Sequence, residues 1–303
     1  FGFFIGPPIG GLIIDWIHWR GIFFFLFVPS LVGSALCFMT GRSVAASPAR
    51  HHSIDYRGAA LFLGLTILVT MLLDQKIAAF VGKGAYGLLG LAAGGTLWAF
   101  LAHEKKTPDP MIDLSLFSGS AFGYGSIGLL MCCITQGITT FVTPFYLQDV
   151  LKLSPTLIGL IFLVPSLFSM VFSPVSGVLT DRIGARVLLI TGVLFLIAAF
   201  LIGANLRADS HWILPTTLLG LTALGSAFYN TPSQAVMVSS LPKEHWGTAI
   251  GIINGIFGLG QMLGISLSAI FLTLAFRFYS AVPGTTPQPG DPRAFVASMN
   301  VTY

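Results

Sequence analysis

Long apolar runs separated by short polar stretches cover almost the whole chain. Each run is continuous, without the strict alternation of apolar and polar residues typical of a membrane-spanning β-strand. An α-helix needs about 20 apolar residues to cross a bilayer. The pattern therefore predicts an all-α integral membrane protein with about nine transmembrane helices. The runs cover approximately residues 1–14, 22–40, 58–73, 85–102, 121–145, 156–178, 187–205, 212–236 and 248–276.

The two ends of the sequence also lie in apolar stretches. The first run holds about 14 residues, which is shorter than the roughly 20 that a span needs. No charged leader precedes it, and the residues from 294 to 303 turn apolar again. We therefore expect the sequence to begin partway through one transmembrane helix and to open a tenth that it does not finish.

Composition supports a membrane protein and excludes several other classes. Charged residues make up 9% of the chain, against about 25% in a typical soluble domain. That fraction is too small for the charged surface of a soluble enzyme or for a disordered tail. The net charge of +4 is scattered through loops, without the basic stripe of a nucleic-acid binder. The expected partner is the lipid bilayer, and no nucleic acid.

The basic residues give a weak indication of orientation. One set of alternate loops holds eight Lys or Arg residues, Arg182 and Arg186 among them, and the other set holds seven. Cytoplasmic loops carry the excess of positive charge in most membrane proteins. The count mildly favours the loop with Arg182 and Arg186 as cytoplasmic.

The apolar runs contain few residues that could carry out catalysis or bind a metal. No acidic or basic residue lies in the middle of a run, and no nucleophile–base pair, carboxylate pair or set of metal ligands occurs there. Cys37, Cys132 and Cys133 have no metal-binding spacing and no disulfide framework, so they are interpreted as small buried apolar residues. The sequence predicts that the protein is not an enzyme and that it binds neither metal nor cofactor.

Uncharged polar residues form stripes along three of the runs. Polar groups are expensive in lipid, so they face other helices or a water-filled cavity. A single such residue is explained by a hydrogen bond between helices. Three stripes in one part of the chain favour a candidate substrate cavity instead. The stripes are Gln136, Thr139, Thr143 and Tyr146 in the fifth run, Asn230 and Gln234 in the eighth, and Asn254 and Gln261 in the ninth.

Glycines in the ninth run are spaced for helix packing. Gly247, Gly251 and Gly255 recur every four residues, and Gly260 and Gly264 repeat that spacing. Small residues four apart let two helix backbones approach closely. The spacing predicts a packing face.

The first run contains a glycine-proline motif. Gly2, Gly6 and Gly10 share one helix face, Gly11 follows, and Pro7 and Pro8 remove two backbone donors. A flat face interrupted by prolines is suited to close contact with a neighbouring helix.

A second motif joins the sixth and seventh runs through a tight polar turn, Gly177 to Arg186. Gly184 can adopt a positive φ. Asp181 can pair with Arg182, Arg186 or another arginine, or it can accept from amides at a helix N-terminus. The simpler interpretation is an ordinary helical hairpin with a charged turn.

Together the two motifs resemble those of the major facilitator superfamily. The first is similar to the G-x-x-x-G-P-x-x-G-G motif of its antiporters, and the second to its G-x-L-x-D-R-x-G-x-R loop. Trp19-Arg20, Asp55-Tyr56-Arg57-Gly58 and Tyr146-Leu147-Gln148 resemble stretches of the fourteen-span EmrB/QacA-type drug:proton antiporters. The resemblance covers essentially the whole chain.

The resemblance implies a partial major facilitator fold with three segments. Residues 1–42 would be the last two helices of the N-terminal bundle, the first of them truncated. Residues 43–117 would be two inserted transmembrane helices with cytoplasmic linkers. Residues 118–303 would form the C-terminal bundle, with a truncated final helix.

The resemblance also implies roles for the motif residues. Gly2, Gly6, Pro7, Gly10 and Gly11 would shape the interface between bundles. Gly177, Asp181, Arg182, Gly184 and Arg186 would form a cytoplasmic gate loop that opens and closes during transport. The acid and arginine that carry the proton in such antiporters belong to helices before the glycine-proline motif.

The function that the resemblance implies is multidrug efflux by drug:proton antiport in the inner membrane of a bacterium, powered by the proton gradient. Expected substrates are small amphipathic or cationic compounds, and a periplasmic adaptor protein is a further partner to consider. The alternatives are export of another small molecule, such as a siderophore, sugar or organic acid, and a non-transporting membrane scaffold or sensor.

Overall fold

The computed structural model describes residues 2–41, 55–73, 75–107, 114–117, 121–279 and 292–303. These residues form eleven α-helices, two 3₁₀ turns at Leu114–Phe117 and Lys243–His245, a π-helical turn at Tyr146–Val150, and no β-strand. The predicted segment boundary at 42–43 lies outside the described residues. The helices are α1 (Gly2–Trp16), α2 (Gly21–Gly41), α3 (Tyr56–Leu73), α4 (Gln75–Glu104), α5 (Ala121–Phe145), α6 (Pro155–Ile161), α7 (Leu163–Ile183), α8 (Ala185–Gly203), α9 (Ile213–Ser239), α10 (Trp246–Tyr279) and α11 (Pro292–Thr302).

Seven helical stretches in the described part of the chain are long and apolar enough to cross a bilayer. They correspond to seven of the nine predicted runs, and the all-α membrane fold is confirmed. The other two runs form α1, which has 15 residues, and α9, which is long but rich in Thr, Ser, Asn and Gln. Helices α5, α7 and α8 pack around α9, so its polar side chains can face protein instead of lipid.

The sixth predicted run is divided into two helices. Helix α6 ends at Ile161, Phe162 is a turn residue, and α7 begins at Leu163. Pro165 has no N–H with which to bond the carbonyl of Ile161 one turn earlier, which weakens the helix at this point. The break brings Phe162 and Pro165 to the wall of the central cavity described below.

Helices α5 and α10 cross closely because glycines remove side chains from the contact. A Cβ at Gly137 would lie 2.5 Å from the carbonyl oxygen of Gln261. A Cβ at Gly264 would overlap the carbonyl oxygen of Ile134, and one at Gly260 would overlap the Cβ of Cys133. The predicted packing face is therefore present at Gly260 and Gly264.

The first part of that glycine pattern packs against nothing in the described chain. A Cβ at Gly247, Gly251 or Gly255 would meet no atom within 4 Å. The spacing predicted a packing face at these positions as well, but the first turns of α10 are buried through Ala249, Ile252 and Ile253, which lie on the opposite face of the helix.

Two apolar clusters close the opposite ends of the bundle. One contains Tyr146, Leu206, Phe276 and Met299 at the end where α5 and α10 finish. The other surrounds Phe122, Leu129, Met237 and Ile253 where α5 and α10 begin. Mid-helix positions of α5 lie between the two clusters, and this is the level of the central cavity.

Helices α3 and α4 form a hairpin with a polar lock at one end. Asp55 accepts a hydrogen bond from the N–H of Gly58 at 2.9 Å and so caps α3. Its carboxylate also contacts Nε2 of His103, near the end of α4, at 2.9 Å. The Gly58 amide and the imidazole hold the pKa of Asp55 below its ordinary value. The hairpin touches the bundle where the hydroxyl of Thr70 donates to the sulfur of Met262.

Candidate functional site

A cavity of about 620 Å³ lies among α1, α5, α7, α9 and α10. That volume is typical of sites for drug-sized ligands. Its wall combines apolar side chains with hydroxyl and amide groups. The lining residues are Pro7, Gln136, Thr139, Thr140, Phe162, Pro165, Ser166, Ser169, Met170, Leu219, Thr222, Ala223, Ser226 and Gln261.

Three of the eight predicted cavity residues lie in this wall. Gln136 and Thr139 come from α5, and Gln261 comes from α10. The glycine crossing explains how two stripes on different helices meet, because Gly137 packs directly against the backbone of Gln261. Any side chain at position 137 would push the two glutamines apart.

None of the residues that line the cavity is charged at neutral pH. A solute in contact with these described residues would meet hydroxyls, amides and apolar surface. In the described part of the chain, no group of three His, Cys, Asp or Glu residues is arranged to hold a metal ion. The chemistry of the wall is thus binding and orientation by hydrogen bonds.

Thr143 and Tyr146 lie outside this wall. Thr143 shares the face of Gln136, but seven residues further along an α-helix is a rise of about 10 Å. At that level Tyr303, at the end of α11, covers α5, and its hydroxyl lies 2.9 Å from Oγ1 of Thr143. Tyr146 is fully buried and donates to the carbonyl of Arg207 at 2.6 Å. Both residues fasten α5 to neighbouring segments.

The other three predicted residues also lie away from the cavity. Asn230 accepts a weak hydrogen bond from the thiol of Cys132 at 3.4 Å, and the side-chain amide of Gln136 lies 3.5 Å from the same sulfur. Gln234 is half-buried one turn further along α9, and Asn254 is exposed on α10. Cys132 is a buried free cysteine. Its thiol lies between the polar residues of α5 and α9 and contacts both.

Several polar residues of the wall were not predicted from the sequence. Thr222 and Ser226 precede Asn230 and Gln234 at intervals of four along α9. The polar stripe of α9 therefore begins two turns before Asn230, with hydroxyl groups that the sequence-based prediction did not include. Thr222 donates to the carbonyl of Leu218 at 2.8 Å, whereas Oγ of Ser226 makes no such bond. The break before Pro165 adds Ser166 and Ser169 from α7.

The glycine-proline motif packs against α6 and also reaches the cavity. A Cβ at Gly11 would lie 2.5 Å from the carbonyl oxygen of Pro155, and one at Gly159 would lie 2.5 Å from that of Pro7. Gly6 and Gly10 meet no atom within 4 Å, and Gly2 begins α1. Within the motif, close contact therefore falls on Gly11 and on the backbone of Pro7, which also forms part of the cavity wall.

Asp15 fastens the end of α1 to the start of α6. Its Oδ2 accepts a hydrogen bond from the backbone N–H of Thr156 at 2.9 Å and a second from the Thr156 hydroxyl. This contact lies at the end of the bundle opposite the Asp181 turn. In the sequence Asp15 only begins a polar stretch, and its contact could not be predicted because its partner lies 141 residues away.

The turn after α7 has the predicted geometry at Gly184. Its φ is +87°, a value that favours glycine, and the turn passes directly from α7 into α8. Asp181, Arg182 and Arg186 are exposed. No ion pair or capping bond joins Asp181 to another described residue, and Gly177 lies near the methyl group of Thr231. The role of this turn as a gate stays a prediction.

A second cavity, of about 440 Å³, opens between α5 and α8. Its wall is largely apolar, with Cys132, Thr135, Tyr229 and Tyr303 as its polar members, and it contains none of the predicted site residues. The larger cavity is therefore the stronger candidate site.

Comparison with known proteins agrees with this architecture. Residues 125–284 match the family model described as Major Facilitator Superfamily. Riboflavin transporter RibZ of Clostridioides difficile is 26% identical over 98% of this chain and 62% of its own length. Multidrug resistance protein Stp of Mycobacterium tuberculosis is 29% identical over 86% of this chain and 48% of its own. Putative multidrug resistance protein MdtD of Salmonella paratyphi B is 26% identical, over 88% and 56%.

The chain spans about half to three-fifths of the length of these curated relatives. The family model covers more than half of the chain. One of these relatives is named a transporter, and the other two are named multidrug resistance proteins. The helices, the two motifs and this match agree that the chain belongs to the major facilitator superfamily, whose members are multi-pass membrane proteins.

Proposed function

We propose that this chain is part of a fourteen-span drug:proton antiporter that exports small amphipathic compounds from a bacterium across the inner membrane. The observation that carries the proposal is the uncharged cavity of about 620 Å³, to which Pro7 of the antiporter motif contributes. Two of the similar proteins bear multidrug resistance names. The proton gradient would supply the energy, and a periplasmic adaptor is a further partner to test.

The proposed cycle alternates between two closures of the protein. The Asp181 turn lies at one end of the bundle, and the contact of Asp15 with Thr156 lies at the other. Opening of either end would expose the cavity to that side of the membrane. Gly11 and Gly159 would allow α1 and α6 to come together and separate without interlocking side chains.

Everted vesicles that contain the full-length transporter test this function. After an acid-inside pH gradient is established, we expect an amphipathic substrate to collapse part of the gradient and to accumulate in the vesicles. Vesicles without the transporter provide the control. If no amphipathic compound dissipates the gradient or accumulates, drug:proton antiport is wrong.

A second candidate is transport of a flavin, which the similarity to the riboflavin transporter over 98% of this chain favours. A neutral cavity with amide and hydroxyl groups is also compatible with such a solute. Uptake of radiolabelled riboflavin by cells with and without the transporter distinguishes this candidate from drug export. Siderophore, sugar or acid export remains a third candidate, although an acid carrier would be expected to place a basic residue in the wall.

A further inference from the structure

The α3–α4 hairpin is fastened at both ends and between them. The carboxylate of Asp55 contacts His103 at 2.9 Å at one end. At the other end the hydroxyl of Tyr86 donates to the carbonyl oxygen of Leu72. Between these contacts the ring of Phe100 is buried, with its centroid 5.9 Å from that of an aromatic ring of α3. Two helices joined at three levels are expected to move as one unit.

Thr70 connects this unit to α10. Its hydroxyl donates to the sulfur of Met262 at 3.1 Å, and it also lies 2.8 Å from the carbonyl oxygen of Thr66, one turn earlier in α3. A thioether is a weak acceptor, so the contact combines a weak hydrogen bond with packing against a polarizable sulfur. Further residues of α3 approach α10 around this point.

Met262 lies on the face of α10 that points away from α5. Residues two apart in an α-helix differ in direction by about 200°. Gly260 and Gly264 both pack against α5, and Met262 lies midway between them in the sequence. The same turns of α10 are therefore held by α5 on one side and by α3 on the other.

Gln261 belongs to these turns and connects them with the central cavity. A Cβ at Gly137 of α5 would lie 2.5 Å from the carbonyl oxygen of Gln261, and the side chain of Gln261 lines the cavity. Because Gln261 and Met262 are adjacent in the chain, a shift of Met262 towards or away from α3 would also move the glutamine.

We propose that the α3–α4 hairpin holds the middle of α10 against α5, and that Thr70 is a positioning residue that acts through Met262 on Gln261. The hairpin then stays on α10 throughout the transport cycle and influences the cavity from outside its wall. The proposal rests on the proposed export function, and dye binding is measured separately from export so that the two can fail independently.

Substitutions at Thr70 test the positioning role. The affinity of purified full-length transporter for the amphipathic dye Hoechst 33342 is measured by fluorescence, and export of saturating dye is measured in everted vesicles. We expect Thr70→Val to weaken dye binding about two- to threefold, the lower end for loss of one neutral hydrogen bond. The export rate at saturating dye should stay at the wild-type value, and Thr70→Ser, which keeps the hydroxyl, should restore the affinity.

Thr66→Val is the matched control on the same helix. The hydroxyl of Thr66 also bonds the carbonyl oxygen one turn earlier, that of Phe62 at 2.8 Å. The control variant therefore removes the same kind of bond within α3 and leaves the contact with Met262 in place. We expect its dye affinity to equal that of wild type.

A double-mutant cycle shows whether Thr70 acts through the glutamine. Gln261→Ala removes the side chain that the contact is proposed to position. If the effect of Thr70→Val passes through Gln261, adding it to Gln261→Ala should weaken dye binding no further. Two independent residues would instead give losses that multiply.

Cross-linking tests whether the hairpin stays on α10 during transport. Thr70→Cys with Met262→Cys is introduced into a full-length transporter without other reactive cysteines, and the pair is joined by a short bis-methanethiosulfonate reagent. Export should continue at the rate of untreated protein. Asp15→Cys with Thr156→Cys is the control, because that contact opens in the proposed cycle, so its cross-link should stop export until it is reduced.

Each of these results has a counterpart that would overturn the proposal. Unchanged dye affinity in Thr70→Val, or an equal loss in Thr66→Val, would exclude the positioning role. A further loss in the background of Gln261→Ala would exclude action through the glutamine. Loss of export after Thr70 and Met262 are joined would show that the hairpin leaves α10 during the cycle. The expected pattern of dye binding without export by wild type would support the role of Thr70 and contradict the proposed export function.

Discussion

Asp15 accepts two hydrogen bonds from Thr156, one from the backbone N–H at 2.9 Å and one from the hydroxyl. The carboxylate thereby caps α6 from a different helix, beside Ser154, which accepts from the N–H of Leu157 at 3.3 Å. A carboxylate at a helix N-terminus satisfies free amides and interacts favourably with the helix dipole. The pair ties α1, which carries the glycine-proline motif, to α6.

Asp15→Ala should therefore loosen α1 from α6. We expect the melting temperature of the detergent-purified transporter to fall by about 2 °C or more, because an N-terminal cap is lost. Asp181→Ala removes the same charge from a position without a described partner and should leave the melting temperature unchanged. Equal melting temperatures for Asp15→Ala and wild type would mean that the cap does not stabilise the contact.

Gly264→Ala should disrupt the crossing of α5 and α10. The added methyl group would overlap the carbonyl oxygen of Ile134, and overpacking of this kind costs about 1–3 kcal/mol. We expect a lower melting temperature and a smaller monodisperse peak in size-exclusion chromatography. Gly251→Ala adds the same group on the same helix where nothing lies within 4 Å, so its chromatogram should match wild type. A well-folded Gly264→Ala variant would contradict the close crossing.

The α3–α4 hairpin should lose stability in acid through Asp55. The N–H of Gly58 and the imidazole of His103 lower the pKa of this carboxyl in the folded protein. Its stabilising effect is therefore complete above the unfolded pKa of about 3.9 and is lost as the pH falls through the lower, folded value. Melting curves between pH 7 and pH 3 should show a steeper decline for wild type than for Asp55→Ala. Parallel declines would exclude this linkage.

Asp181→Asn should reduce transport while the protein remains in the membrane. The residue is exposed on the last turn of α7, so the substitution removes no described contact and folding should be preserved. Immunoblots of membranes measure the amount of protein, and efflux of a fluorescent substrate measures activity. Normal efflux by this variant would show that Asp181 is not needed for transport and that the charged turn serves only to orient the helices in the membrane.

Gln136→Ala should change substrate preference, and Gln234→Ala should not. Both residues belong to polar stripes in the sequence, but only Gln136 of the two lies in the wall of the 620 Å³ cavity. Resistance profiles of cells that express each variant, taken across neutral and cationic compounds, provide the measurement. A changed profile for Gln234→Ala with an unchanged one for Gln136→Ala would place the site elsewhere.

The class of fold could be predicted from the sequence, as could the approximate positions of the helices and the family. Apolar runs of this length have one stable form in lipid, because every backbone polar group must be bonded within its own segment. The two motifs were visible because their residues are close in sequence, and the positive φ of Gly184 followed from the turn alone. The helices and the turn at Gly184 could be predicted because they depend on residues that are close together in the sequence.

Which polar residues share a cavity could not be predicted, because it depends on how distant helices pack. Gln136 and Gln261 line the same cavity because Gly137 lets α5 and α10 touch, whereas Thr143 has the same helical phase as Gln136 and is covered by Tyr303. Asp15 bonds to Thr156, which lies 141 residues away in the sequence. Helical periodicity fixes the direction of a side chain but not its neighbour, and the neighbour depends on where distant helices cross.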